Sequence, residues 1–102
     1  MARNALSERY DFAEAGAALG DDIGRLALGR LHARADISGL DWRALAAEMA
    51  GYVTAGENAL RRAGATAAEA AAFGDAATKR VSEMFARYRA SAVAAKSETM
   101  EN

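Results

Sequence analysis

Cysteine and proline are absent from these 102 residues, histidine occurs once, and aromatic residues make up 7%. Without cysteine there is no disulfide and no thiolate metal site. Without proline nothing forces a helix to stop or kink. A Ser/His/Asp or Cys/His catalytic set would have to run through the single imidazole, His32. The paired Glu-x-x-His motifs of a di-iron bundle are also missing. No uncharged run approaches the length of a membrane span, and the N-terminus lacks an apolar stretch of signal-peptide type. The resulting expectation is a cytoplasmic protein with no membrane contact. An excess of one charge is missing too. Thirteen Lys and Arg stand against 14 Asp and Glu, a net charge of −1. That gives no general pull toward nucleic acid or an anionic membrane.

What is present in quantity is alanine, more than a quarter of the chain. Alanine favours helix, β-branched residues are few, and an all-α single domain follows. Alanine also buries little apolar area, at roughly 25 cal/mol per Å². A core with so little bulk is thin for one small subunit, which argues for self-association. Charge is uneven along the chain. Glu8, Asp11, Glu14, Asp21 and Asp22 make one stretch acidic, while Lys79, Arg80, Arg87 and Arg89 make another basic. The simplest use is complementarity between two helices.

Residues 5–36 carry two apolar faces when read as one helix at 100° per residue. Phe12, Gly16, Leu19, Ile23 and Leu26 share the first. Leu6, Tyr10, Ala13, Ala17, Gly20, Gly24, Leu28 and Leu31 share a second, centred roughly 120° away. Two faces ask for partners on two sides. Ser7 is placed to cap this helix, with Glu8 in the first turn. Gly16, Gly20, Gly24 and Gly29 each cost about 1 kcal/mol relative to alanine, so something must offset them. Small residues four apart let another helix come close, as in membrane helix pairs. The expected interface with a second copy is therefore Tyr10, Ala13, Ala17, Gly20, Gly24, Leu28 and Leu31. Wedging helix 1 between the other two in a closed monomer is the alternative. A break at Gly20, with Asp21 or Asp22 capping a new helix, is the competing local reading.

Ser38-Gly39-Leu40-Asp41 places the first connection. The second helix is expected over residues 40–63. Its stripe is Trp42, Leu45, Met49, Val53, Gly56, Leu60 and Ala63, and Gly64 stands where a left-handed residue ends a helix. Thr66-Ala67-Ala68-Glu69 is a capping box opening the third helix. That helix is expected to reach about Lys96, with Ala70, Phe73, Ala77, Val81, Met84, Tyr88, Ser91 and Ala95 on one stripe and Phe85 beside it. Asp21–Arg25, Glu57–Arg61, Asp75–Lys79 and Glu83–Arg87 have i, i+4 spacing. Short connections make the neighbours antiparallel. The expected architecture is an all-α, up-down-up bundle of three long antiparallel helices over residues 5–96, assembled as a dimer, with a disordered polar tail at 97–102.

Candidate chemistry is sparse. His32, with Asp36 one turn later, reads as a solvated ion pair. Arg30, in line with Leu19, Ile23 and Leu26, is the one possible anion contact, or else covers the core edge with its stem. Arg61, Arg62, Lys79, Arg80, Arg87 and Arg89 point in several directions and do not make a nucleic-acid surface. Trp42, Tyr52, Phe73, Phe85 and Tyr88 read as core. No catalytic, cofactor or metal residue emerges, and the chain is not read as an enzyme. The expected function is a helical protein–protein interaction module that forms a homodimer. The alternative is a bundle that binds a small ligand or anion as an accessory subunit of an enzyme.

Overall fold

A computed structural model describes residues 10–33 and 42–101, with 33 and 92–101 as backbone. Among the described residues there are three α-helices and no strand: α1 Phe12–Ala33, α2 Trp42–Arg62 and α3 Ala67–Glu101. At 1.5 Å per residue they are about 33, 32 and 52 Å long.

The start of α1 corrects one expectation. Tyr10 and Asp11 lie before the helix, and the Asp11 carboxylate accepts a 2.9 Å hydrogen bond from the Glu14 amide. Asp11 is therefore the N-cap, and Ser7 lies outside the described residues. The Tyr10 ring sits 4.9 Å from that of Phe12. The helix then runs unbroken through Gly20, Asp21 and Asp22. The break is ruled out because α3 supports this stretch, as described below. The turn at Ser38–Asp41 falls outside the described residues.

The connection from α2 to α3 is fixed by three local devices. Gly64 has φ 105°, the left-handed conformation that favours glycine. Its amide bonds the Arg61 carbonyl at 3.1 Å, and the Ala65 amide bonds the Leu60 carbonyl at 2.9 Å. That pair of bonds is a Schellman motif, and Ala65 is buried with Leu60 packed against its cluster. The capping box then closes in both directions. Thr66 N donates to Glu69 Oε1 at 2.8 Å, and Glu69 N donates to Thr66 Oγ1 at 3.1 Å. At its other end α3 passes the expected stop at Lys96 and carries helical backbone to Glu101, over most of the segment expected as a tail.

The core lies where α1 and α2 rest on α3, in three clusters along the bundle. Phe12, Ala65 and Phe73 form the first; Ile23, Val53, Ala77 and Val81 the second; Ala27, Leu31 and Leu45 the third. The most buried of these is an alanine, Ala77, at 0% exposure. The expected stripes of α2 and α3 supply most of the core. Trp42 departs from expectation at 48% exposure, because as the first residue of α2 it lies one turn outside Leu45 at the end of the bundle.

The α1–α3 contact is a backbone contact. Gly16, Gly20 and Gly24 are all buried. With Ala27 and Leu31 they span roughly 80° of helical arc. A Cβ added to Gly16 would lie 3.0 Å from Phe73 Cα, and one added to Gly20 would lie 3.0 Å from Ala77 Cα; both would collide with the carbonyl oxygens of those residues. Beside Gly24 the neighbour is the flexible Met84 side chain. Gly29, also in α1, faces open space.

These surroundings set opposite outcomes for one substitution. Gly16→Ala and Gly20→Ala should lower stability by about 1–3 kcal/mol, since overpacking against a backbone outweighs the gain in helix propensity. Gly29→Ala should raise it by up to about 1 kcal/mol. Urea unfolding followed by circular dichroism measures all three. A Gly20→Ala protein as stable as Gly29→Ala would contradict the packing.

Candidate functional site

The face assigned from sequence to a second copy is divided by the structure. Gly20 and Gly24 turn onto α3 of the same chain, and Leu31 is buried beside Leu45. The close approach that justifies those glycines is thus made within the subunit, and a second copy meeting them there would have to displace α3. Ala17 and Leu28 are half-buried, while Tyr10 and Ala13 remain exposed. Gly16, expected on the other face, joins Gly20 and Gly24 against α3, and periodicity alone does not say which helix covers the glycines.

The unsatisfied apolar surface lies on the other side of α1. Both α1 and α2 pack on α3 more than on each other. Between them is an open groove of about 470 Å³, lined by Leu19, Ile23 and Leu26 of α1, Tyr52 and Ala55 of α2, and Phe73 at its base. Leu26 is 48% exposed and Tyr52 41%. Tyr52, expected in the core, stands instead in the groove wall with its hydroxyl directed to Glu48. Asp22 lines the same groove and is exposed.

Arg30 has a partner of its own. Its Nη1 donates to Glu48 Oε2 at 2.6 Å, and the Tyr52 hydroxyl donates to Glu48 Oε1 at 3.1 Å. The Arg30 hydrogen bond, then that from Tyr52, holds the Glu48 carboxyl below its ordinary range, and the same pairing raises Arg30. The anion that Arg30 contacts is therefore a carboxylate of this chain. The network ties α1 to α2 beside the groove.

A second polar tie joins α1 to α3. Arg80 gives Asp21 Oδ1 two hydrogen bonds, 3.0 Å from Nε and 2.7 Å from Nη2, and Arg25 pairs with the other oxygen. The acidic and basic stretches of the sequence meet here within one subunit. The Arg80 hydrogen bonds chiefly, and the Arg25 charge in addition, hold the Asp21 carboxyl below its ordinary value of 3.8. Sequence spacing identified Asp21–Arg25, but not the partner 59 positions away. Arg61, expected to pair with Glu57, donates instead to the Ala65 carbonyl at 2.8 Å.

Among the described residues, no three His, Cys, Asp or Glu side chains converge as a metal site would require. Among them, too, no helix is long and apolar enough to cross a membrane. His32 is exposed, with its ring 5.6 Å from that of Tyr88. Compared with protein-family models, curated proteins and solved structures, the chain gives no match.

The Asp21 tie gives the fold an acid-sensitive component. A carboxyl whose folded pKa is depressed contributes its full stabilisation above its unfolded pKa and loses it as pH falls through the folded one. Asp21→Asn should therefore lower the Tm at neutral pH, and the gap from wild type should close below pH about 4. Thermal melts at several pH values measure this; a gap that stays constant down to pH about 2 would remove Asp21 from the account.

Proposed function

We propose that the chain is a non-enzymatic helical interaction module that pairs with a second copy of itself across the groove between α1 and α2. The observation that carries this reading is Leu26, a leucine nearly half exposed in the wall of an apolar groove. Burying it and Tyr52 offers the apolar area that the alanine-rich core does not supply.

Charge placement along α1 favours a second copy as the occupant. Asp22, Leu26 and Arg30 stand four residues apart on one exposed line. A twofold axis through Leu26 sets two α1 helices side by side and antiparallel. Asp22 then faces Arg30 of the other copy, and Arg30 faces its Asp22, about 6 Å to either side of the axis. The line is self-complementary, as an isologous interface requires. Arg30 has donors enough to keep Glu48 and accept a second carboxylate.

The proposal includes the up-down-up order within each subunit. In support, residue numbers rise together along α1 and α3, where Gly16, Gly20 and Gly24 face Phe73, Ala77 and Met84. Along α2 they fall: Phe12 clusters with Leu60, Ile23 with Val53, and Leu31 with Leu45.

Sedimentation equilibrium at about 100 µM tests the reading. The expected mass is twice the 10.7 kDa of one chain. Leu26→Glu should halve it without loss of helix, and Asp22→Lys should weaken self-association about fivefold at low salt. A single-chain mass for the wild type would overturn the proposal. A dimer indifferent to Leu26→Glu would move the contact elsewhere.

A further inference from the structure

On the side of α1 roughly opposite the groove, a recess of about 270 Å³ opens between α1 and α3. The lining is apolar at Leu28, Met84 and the Tyr88 ring, and polar at His32 and the two arginines Arg80 and Arg87. Met84 is held there because its sulfur lies over Gly24, where a side chain would displace it. The two arginines are not equivalent. The Arg80 guanidinium is committed to Asp21, with Glu83 4.0 Å from its Nη1. Arg87 is exposed, and among the described residues neither its guanidinium nor the Tyr88 hydroxyl has a hydrogen-bond partner.

We propose that this recess binds a small organic anion with an apolar body, Arg87 holding the anionic group and Leu28 and Met84 taking the body. The chemistry follows from the division of the lining. A guanidinium matches a carboxylate or sulfonate through two parallel N–H donors, and Tyr88, in the same lining, carries a hydroxyl donor. A fully hydrated inorganic ion would leave the apolar lining unused, and a neutral apolar molecule would leave the donors unused. The volume lies just under the roughly 300 Å³ at which pockets for drug-sized ligands begin, so the ligand is the size of a metabolite. Among the described residues, the acidic groups paired with this lining are Asp21 and Glu83, and both are turned to Arg80. The recess and the proposed dimer contact use opposite sides of α1, so either can stand without the other.

Titration of the full chain followed by methyl and aromatic NMR shifts tests the site, with 1-naphthoate, 1-naphthalenemethanol and acetate as probes. For an anion of this size a Kd of about 1 mM is expected for 1-naphthoate, with shifts concentrated at Leu28, Met84 and Tyr88. The alcohol and acetate should each bind at least about tenfold more weakly. Arg87→Gln should weaken 1-naphthoate about tenfold, while Arg62→Gln, at the far end of α2, should not. Equal binding of the acid and the alcohol, unchanged affinity in Arg87→Gln, or shifts gathered at Leu26 and Tyr52 would each overturn the proposal. So would the absence of saturable shifts up to about 10 mM.

Discussion

The rest of the molecule depends on how closely the backbone of α1 lies on α3. At Gly16 and Gly20 no side chain separates the two helices, and each glycine faces a main-chain carbonyl of the other helix. Such an approach is open only to glycine, which is why α1 tolerates residues that weaken an isolated helix. The contact fixes the register of α1 on α3 while adding little side-chain bulk. The apolar work falls to a few larger residues at its margins: Phe12 and Phe73 at one end, Ile23 and Val81 in the middle, Leu31 and Leu45 at the other.

Drawing α1 onto α3 leaves α1 and α2 only lightly joined. Their line of approach is an apolar groove, tied by the Arg30–Glu48–Tyr52 network. The corresponding tie between α1 and α3 is Asp21, held by arginines of both helices. The Arg30–Glu48 tie is exposed and fixes orientation more than it adds stability, whereas Asp21 and Arg80 are partly buried and their pairing is less screened by water. The same carboxylate that aligns α1 with α3 also occupies Arg80, leaving Arg87 without a hydrogen-bond partner among the described residues.

The local signals at the connection from α2 to α3 were legible in the sequence. The Thr66–Glu69 box and Gly64 have geometry that depends on a few neighbouring residues, and both have the form their spacing implies. The stripes of α2 and α3 were legible because helical phase decides which residues share a side. The partner of each side was not. A line of glycines has the same periodicity whether α3 or a second copy covers it, so the notion of a twofold seam at Gly20 and Gly24 could be settled only by packing. Asp11 shows a smaller ambiguity, since a Ser and an Asp are both good caps by residue type, and the one observed among the described residues is Asp11. Asp11-Phe12-Ala13-Glu14 has the acid spacing that would have pointed to the later start. The groove was invisible for a related reason: Leu19, Ile23 and Leu26 read as core, and nothing in their spacing says that α2 stands off from them.

The most direct measurement is the nuclear Overhauser contact between the Gly20 α-protons and the Ala77 methyl in a sample mixed from differently labelled chains. If the glycines meet α3 of their own chain, the contact keeps its strength when labelled protein is diluted with unlabelled protein, and it is missing from the spectrum filtered for contacts between chains. A contact seen only between differently labelled chains would mean that the glycine edge belongs to a second copy, contradicting the packing of α1 on its own α3.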